Sequence, residues 1–487
     1  MHIIQEIRRH PIRGWKTLAQ LCCYLMIGMS VGVMGPSLLD LRQQVQVSLT
    51  RIALIMTARA GGHVLGSLLS KCTFQFDVMR LIQPITTVGI IYSRINYQVA
   101  TSVMMTISAA MTLTVPFMTQ IWPLLAVFAI NGVVTGFCEA GSNVFLLTLW
   151  GKETSPFMQV MHSLYGIGAL IGPLLCSPYL LVREEVEEII INDNETFHPE
   201  LINLHVPYSV VAAVLFFTAV FSIILYKLYP ETTPHPSRQP RPVNTNTGGG
   251  INTVSNLQEE DRRIRSASGH GSFIETRELA SHEAAILRSK DWWFTFWKVA
   301  VVICAMLFMH AFYGIEQALG SFLLTFAVNS QLHLTKHRGA QLTTLFWTSF
   351  SISRFPKILM INCLGNAPNI FLGLAIMMLG NVILLPFGDT KEIALWVGVA
   401  LIGIGGSSIW ACVYGYLDQY FPVTSFIGSL IFVSAVVGEF VFPVIISSFI
   451  EWYPLILLWV VMGCTVAMIF FFLLITIICR SRMTMIE

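Results

Sequence analysis

Twelve apolar segments, each long enough to cross a lipid bilayer, run along this chain of 487 residues. One hydrophilic stretch, residues 229–292, separates them six and six. Because a helix needs roughly 20 mostly apolar residues to cross the hydrocarbon core, the pattern predicts an all-α polytopic membrane protein with twelve transmembrane helices in two six-helix halves. Chains of this class most often move a solute across the bilayer. The predicted spans cover residues 17–36, 50–70, 98–118, 122–147, 156–181, 208–228, 294–326, 339–361, 369–387, 393–415, 424–449 and 453–478.

The composition excludes a soluble protein and gives no reason to expect nucleic-acid binding. Hydrophobic residues make up 54% of the chain and charged residues only 11%, whereas soluble domains carry about 25% charged residues. The net charge of +2 is too small to attract a polyanion strongly. The expected partners are therefore membrane lipid and a small-molecule substrate, and we expect the chain to work as a monomer.

No arrangement of residues in the sequence indicates an enzyme, a metal site or a cofactor. The ten cysteines are scattered, without a Cys-x-x-Cys pair or a His/Cys cluster at metal-ligand spacing. The sequence contains no Gly-x4-Gly-Lys-Ser/Thr loop for nucleotide binding, and no Ser, His and Asp set converges. Any driving force for transport should therefore come from a coupling ion such as Na⁺ or H⁺.

The hydropathy pattern divides the chain into an N-terminal bundle (1–228), a cytoplasmic, partly disordered linker (229–292) and a C-terminal bundle (293–487). The linker is rich in proline and contains three consecutive glycines, and such a composition cannot build a packed core. Within it, residues 262–266 offer either a phosphorylation site or a solvated run of charge. Residues 71–97 are too long for a tight turn, and we interpret them as an insertion or a surface segment rather than a thirteenth span.

The distribution of basic residues predicts that both termini face the cytoplasm. Basic residues favour the cytoplasmic side of short loops, and the basic N-terminal stretch leads into a near-full-length span, which indicates a signal anchor rather than a cleavable signal. The same count places the acidic loop 182–207 outside, where Asn194 begins an Asn-x-Thr sequon. The sequence thus predicts a multi-pass plasma-membrane protein that is glycosylated at Asn194.

Span four carries a row of polar residues at four-residue spacing, which places them along one side of a helix. The row ends with Glu139 and Asn143. Because ionisable groups inside a membrane are costly, Glu139 is a candidate to hold a proton or a cation, with Asn143 adding hydrogen bonds. The alternative is a carboxylate paired to a neighbouring helix for structural reasons.

Spans seven and eight carry candidate substrate-binding residues. Tyr313, Glu316 and Gln317 share one face of span seven, beside glycines that allow local unwinding. Trp347 and Ser351 lie one turn apart in span eight, where an aromatic plate beside a hydroxyl group suits a sugar ring. Span eight also contains Arg354, which is a candidate for gating or, alternatively, for holding helices together.

Spans two, five and eleven supply the remaining polar candidates. His162 is placed for proton or sugar contact because its side chain titrates near neutrality, and Tyr165 lies one turn further along span five. In span two, Arg59 stands close to His63 and is deep enough to need a carboxylate partner, for which Glu139 is one possibility. Glu439 in span eleven and an aromatic pair in span ten complete the set.

A short pattern repeats in the two halves. Span five contains Gly168 and Pro173, and span eleven contains Gly438 and Pro443 at the same separation. Gly/Pro interruptions at matching positions of two halves point to a central site between structural repeats. We assign these four residues structural or gating roles.

Several motifs together resemble the major facilitator superfamily. They are the stretch from Gly132 to Asn143 (GVVTGFCEAGSN) followed by Leu-Trp-Gly at 149–151, residues 161–168 (MHSLYGIG), residues 313–316 (YGIE), and the run 346–350 (FWTSF) before Arg354. Within the superfamily, these motifs are similar to the fucose-permease-like branch, especially the animal sodium-dependent glucose transporters and their orphan relatives.

The resemblance implies a six-plus-six bundle whose halves rock around a central cavity, and sugar transport driven by sodium or proton influx. Glu139, Asn143, Tyr313, Glu316 and Trp347 are the positions that it implies as cavity residues. One motif departs from the superfamily pattern Gly-x3-Asp-Arg/Lys-x-Gly between spans two and three. There Ser93 replaces the acidic residue before Arg94, which alters the expected gating contact.

The leading hypothesis is therefore secondary active symport of a hexose such as glucose, with a membrane carboxylate neutralised by the cation. A uniporter of another small polar solute is the alternative within the same class. A receptor or scaffold that keeps the fold without transport is the alternative from another class, and the altered Ser93 loop favours it.

Overall fold

The computed structural model describes residues 9–74, 96–151, 154–180, 203–229, 272–423 and 425–486. Among these residues the chain forms helices and no strands. Ser93, Arg94 and Asn194 lie outside the described residues, as do residues 230–271 of the predicted linker.

The helices before residue 230 are α1 (Pro11–Gly32), α2 (Met34–Gln44), α3 (Leu49–Ile52), α4 (Leu54–Phe74), α5 (Tyr97–Thr114), α6 (Ile121–Trp150), α7 (Thr154–Cys176) and α8 (His205–Leu228). The later helices are α9 (Ser272–Asn329), α10 (Lys336–Ile352), α11 (Arg354–Leu364), α12 (Asn366–Phe387), α13 (Glu392–Gly406), α14 (Ile409–Asp418), α15 (Ser425–Phe449) and α16 (Ile456–Ile486). Short 3-10 helices follow α5 and α7, at Val115–Phe117 and Ser177–Tyr179.

Ten helical stretches of the described residues are long and apolar enough to cross a membrane, and the pair α1–α2, bent by 43°, makes an eleventh. The difference from the predicted twelve lies at span eight, which the structure builds from two helices. α10 ends at Ile352, and α11 begins at Arg354. α10 has 17 residues and α11 has 11, so neither helix alone is long enough to span a bilayer.

The helices separate into two compact units. One unit holds the described residues up to Tyr229 together with those from Cys304 onward, and the other holds the described residues from 272 to 303. Most of both predicted bundles therefore belongs to the first unit, and the predicted domain limits at 228 and 293 stay predictions.

Inside the first unit, neighbouring helices pack in pairs that recur in the two halves. In the N-terminal half α1 packs on α7, α4 on α6 and α5 on α8; in the C-terminal half α10 packs on α13 and α12 on α16, which are the equivalents of the α4–α6 and α5–α8 pairs. The halves meet through two further pairs, α4 with α15 and α7 with α10. These are the helices of spans two, eleven, five and eight, so polar residues on their inner sides can meet across the junction.

Polar contacts tie the two halves together at one face of the bundle, which we call the sealed face. It contains the C-terminal ends of α2 and α15 and the N-terminal ends of α3 and α10. The contacts are an ion pair of Arg42 with Glu451 at 2.7 Å, an ion pair of Asp40 with Lys336, a 2.6 Å hydrogen bond between Ser177 and His337, and a 3.1 Å bond from Thr50 to the Ser447 carbonyl.

The sealed face also fixes the side on which the described chain ends lie. The first span runs toward this face, because it begins at Pro11 and its second helix ends at Gln44. The last span runs away from the face, because α16 begins just after Glu451. Both described ends therefore lie on the opposite face, and the compartment that this opposite face meets stays a prediction.

Candidate functional site

Four ionisable side chains from three helices form a network where the two halves meet. Arg59 of α4 forms an ion pair with Glu439 of α15, joining Nη2 to Oε1. His63, one turn further along α4, places Nδ1 3.3 Å from the other oxygen of Glu439, Oε2. Its second ring nitrogen, Nε2, lies 3.1 Å from Oε2 of Glu139 on α6. One histidine thus contacts a carboxylate from each half.

The members of this network differ in burial. The side chains of Arg59, His63 and Glu439 are 5%, 1% and 2% exposed, whereas that of Glu139 is 12% exposed. Buried charges persist only when they are paired, and each of these groups has an opposite neighbour when His63 is protonated. Glu139 is the member of the network that solvent can reach most easily.

The structure corrects the partner predicted for Arg59. Its carboxylate partner is Glu439 from the opposite half, and Glu139 pairs with His63 instead. His63 is the functional candidate that the sequence undervalued. The available signal was its position four residues after Arg59, which puts two ionisable groups on one face of a single span.

Close packing of α4 on α6 holds Arg59 and His63 in place. Gly132 and Gly136 of α6 lie directly against the backbone carbonyls of Arg59 and His63, respectively. A side chain at either glycine would overlap these backbone atoms, so only a hydrogen substituent allows the approach. The small residues that bring the two backbones together also set the reach of His63 to Glu139.

Tyr24 of α1 organises the polar row of α6. Its hydroxyl donates to the backbone carbonyl of Glu139 at 3.0 Å and accepts a 3.3 Å bond from Asn143 Nδ2. Asn143 also bonds the same carbonyl at 3.0 Å, so its amide supports the backbone beside Glu139 rather than the carboxylate. The ring of His162 meets the edge of Tyr24 at 5.3 Å.

Several buried polar atoms of the C-terminal half have no hydrogen-bond partner among the described residues, and three of them belong to predicted site residues. They are Nε2 of Gln317 on α9, and Nε1 of Trp347 and Oγ of Ser351 on α10. These residues are 2%, 1% and 1% exposed. Because an unsatisfied buried donor or acceptor costs about 1–3 kcal/mol, a polar solute that reached these atoms would gain by bonding them.

Trp347 is not the open aromatic plate that the sequence predicted. Its side chain is buried against Phe346 and Phe350 of its own helix and meets Tyr165 of α7 at 6.2 Å, edge to face. Trp347 and Ser351 lie four residues apart and were expected to share an exposed helix face, but α7 packs against α10 and covers that face. Only its indole nitrogen remains available for bonding.

An aromatic cluster lies beside the charged network instead. Trp410 is its centre, with ring centroids 6.1 Å from Tyr313, 5.8 Å from Tyr414 and 6.1 Å from Phe432. Phe432 in turn meets the edge of His63 at 5.7 Å. Trp410, Tyr414 and Phe432 are half-buried, so this cluster can offer a ring face to a solute.

Arg354 clamps helices, the structural role that the sequence left open. It donates from Nη1 to the His162 carbonyl at 2.5 Å and from Nε to the Ser407 carbonyl at 2.9 Å. One bond reaches the N-terminal half, and the other reaches the residue that follows α13. Glu316, buried on α9, lies within electrostatic range of Arg354 and Tyr165.

The repeated glycine–proline pattern occupies equivalent places in the two halves. Gly168 of α7 packs against the backbone of α1 at Leu25, and Gly438 of α15 packs against the backbone of α9 at His310. Pro173 and Pro443 lie inside the same two helices. The pattern therefore marks, in each half, a helix that packs closely on its neighbour and also faces the opposite half.

The described part of the chain contains no group of three or more His, Cys, Asp or Glu side chains arranged to hold a metal ion. His63 lies between Glu139 and Glu439 rather than in a convergent ligand set: its Nδ1 is hydrogen-bonded to Glu439, and its Nε2 lies 3.1 Å from Glu139. The chemistry that this arrangement can perform is the binding and transfer of a proton, or the neutralisation of a carboxylate by a monovalent cation.

Comparison with known proteins places this geometry in context. The profile described as Major Facilitator Superfamily matches residues 21–438. The Xenopus laevis protein named Sodium-dependent glucose transporter 1 is 24% identical over 424 residues, which are 85% of this chain and 72% of that protein.

Two solved structures share the fold. The D-xylose-proton symporter superimposes with a TM-score of 0.61 at 13% identity, covering 93% of this chain and 96% of its own. The transporter FucP, crystallised in the outward conformation, gives a TM-score of 0.58 at 14% identity over 94% of this chain and 98% of its own.

Proposed function

Because this chain belongs to the major facilitator superfamily, we propose that it is a secondary active transporter that carries a hexose such as glucose by alternating access. Influx of a cation, sodium or a proton, drives the transport. The superfamily and the all-helical fold predicted from the sequence are confirmed. The chain is a multi-pass membrane transporter and not an enzyme.

The observation that carries the proposal is the charged network between the halves. It contains two carboxylates and one permanent cation, Arg59, so a second positive charge is needed to balance it. A ligand shifts a conformational equilibrium only by its differential affinity for the two states. A cation bound beside Glu139 neutralises a charge that the junction holds, and it therefore changes the free energy of separating the halves.

The unpartnered polar atoms of Gln317, Trp347 and Ser351 support a hydroxyl-rich solute. Each is buried; the nitrogens of Gln317 and Trp347 can donate a hydrogen bond to a hydroxyl oxygen, and the Ser351 hydroxyl can donate or accept one. The half-buried ring of Trp410 offers the apolar surface on which a sugar ring can rest. The name of the Xenopus laevis relative supports glucose as the first substrate to test.

Flux into proteoliposomes tests the proposal directly. The purified chain is reconstituted, and a panel of labelled hexoses, nucleosides and amino acids is offered with a sodium gradient, a proton gradient, both or neither. We expect a hexose to accumulate above its external concentration under one of the two gradients. Equilibration that ignores both ions would indicate a uniporter, and solute binding without flux would indicate a receptor.

Replacing Glu139 by Gln tests the coupling. The amide keeps the shape of the side chain but cannot be neutralised by a cation, so we expect Glu139→Gln to equilibrate hexose without concentrating it. The control is Glu392→Gln, since Glu392 lies in the first turn of α13 with a 38% exposed side chain; it accepts a hydrogen bond from Trp396 and forms an exposed ion pair with Arg338. Undiminished, ion-driven accumulation by Glu139→Gln would contradict the assignment.

A further inference from the structure

The position of His63 constrains its protonation state. Its Nδ1 lies 3.3 Å from Glu439 Oε2, and its Nε2 lies 3.1 Å from Glu139 Oε2. A neutral imidazole has one N–H donor and one lone-pair acceptor, whereas the imidazolium form has two donors. Carboxylate oxygens accept hydrogen bonds and do not donate them when ionised. A neutral ring would therefore turn a lone pair toward one of the two carboxylates.

The charges of the network lead to the same form of His63. Arg59 supplies one positive charge, and the two glutamates supply two negative charges. With His63 protonated, the network is neutral in a place where three of its four side chains are no more than 5% exposed. With His63 neutral, one negative charge stays uncompensated between the halves, and an unpaired buried charge is strongly unfavourable.

The groups that face His63 come from every helix around it. Glu139 approaches from α6, Glu439 from α15, and Arg59 lies one turn away on α4 itself. Tyr165 and Tyr313 are the next titratable groups and act on Arg59. The ring of Phe432 covers one side at 5.7 Å. The ionised carboxylates are therefore the acceptors nearest to both ring nitrogens.

We propose that His63 is the binding site of the coupling cation, and that this cation is a proton shared between one carboxylate of each half. The inference rests on the proposed function and deepens it, because it selects the proton over sodium. The proton enters through Glu139, whose carboxylate is protonated by solvent. Glu139 then passes the proton to His63 Nε2, so that Glu139 is ionised again and His63 becomes imidazolium. The reverse transfer releases the proton through Glu139; the neutral ring keeps its Nδ1–H toward Glu439 and turns the lone pair of Nε2 toward Glu139.

The first test measures the charge of His63 without any solute. The full chain is labelled with ¹⁵N-histidine, placed in lipid nanodiscs, and compared by solid-state NMR with His63→Gln and His310→Gln. His310 is the matched control, since its Nδ1 faces a backbone carbonyl, that of Ser434, at 3.0 Å rather than a carboxylate. We expect a ring with both nitrogens protonated at neutral pH, absent from His63→Gln and present in His310→Gln.

The second test measures coupling. A gradient of one pH unit can sustain about tenfold accumulation for one proton per solute. With radiolabelled D-glucose and no sodium, we expect wild type and His310→Gln to concentrate the sugar, and His63→Gln to equilibrate it, because glutamine cannot carry the proton.

A neutral His63 at neutral pH would overturn the inference, as would a His63→Gln variant that still concentrates glucose on a pH gradient. Accumulation by wild type that follows sodium and ignores pH would also overturn it. Absence of flux of every hexose in wild type would instead contradict the proposed function. In that case the NMR signal alone decides whether His63 holds the proton.

Discussion

Arg59 and Glu439 form a buried ion pair whose members come from different halves of the bundle. Breaking such a pair by removing one partner leaves an uncompensated charge, whereas replacing both by apolar residues removes the charge altogether. The two residues are 380 positions apart in the chain. Their contact therefore also links two helices that lie far apart in the sequence.

A double-mutant cycle should reveal this asymmetry. We expect Arg59→Met or Glu439→Met alone to lower the free energy of unfolding by about 3–5 kcal/mol, and the double variant to lose less than the sum of the two. Thermal unfolding in detergent measures the three changes. The exposed pair of Arg338 and Glu392, 3.8 Å apart, is the control, and it should contribute under about 1 kcal/mol. Additive losses at Arg59 and Glu439 would mean that the pair is not coupled.

Single residues show where sequence-based prediction reached its limit. Glu139, Arg59 and Glu439 could be selected because an ionisable group inside an apolar span is costly and therefore informative. Their pairing could not be predicted, because the local sequence does not specify which side chains of the two bundles meet. Trp347 was expected at an open face because helical spacing shows which residues share one face of a helix. It does not show that a second helix, here α7, covers that face.

At the scale of elements, α11 supports the end of α13. Lys357 donates to the carbonyls of Ile404 and Gly405 at 2.5 Å and 3.0 Å, and Arg354 donates to that of Ser407 at 2.9 Å. The last carbonyls of a helix have no partner within it, and cations are favoured there. Hydropathy predicted one continuous helix for span eight, and the two basic side chains that follow its break bond the neighbouring helix end.

The close packing of α4 on α6 can be tested by adding a methyl group at the contact. A methyl group at Gly136 would overlap the carbonyl of His63, so we expect Gly136→Ala to cost about 1–3 kcal/mol of stability and to lower proton-driven accumulation by displacing His63. Gly61, on α4, is the control because nothing lies within 4 Å of its added methyl group. Gly61→Ala should be neutral or stabilising by up to about 1 kcal/mol. Equal effects of the two substitutions on thermal unfolding and uptake would contradict this account of the packing.

At the scale of the molecule, the order of spans and the fold class followed from hydropathy, since an apolar stretch of sufficient length has few other places to go. The closure of one face did not follow, because it depends on the conformation that the halves adopt. Asp40 and Lys336, like Arg42 and Glu451, read in the sequence only as charges near span ends. In the structure these residues form ion pairs between the two halves.

Alternating access requires these contacts to part during transport. Thr50 and Ser447, which lie within hydrogen-bonding distance at the sealed face, provide a reversible test. We expect the double variant Thr50→Cys, Ser447→Cys to cross-link under mild oxidation and to lose uptake, and a reductant to restore it. The two single variants are the controls. A cross-linked protein that transports at the full rate would show that this face does not open.

The two ion pairs of the sealed face should respond differently to dissolved salt. Mobile ions screen the Arg42–Glu451 pair, whose side chains are 38% and 36% exposed, but they reach the Asp40 carboxylate poorly because it is fully buried. A rise in ionic strength therefore weakens one bond and spares the other. Closure of the sealed face should therefore persist as ionic strength rises, with the buried pair setting the minimum strength of the seal.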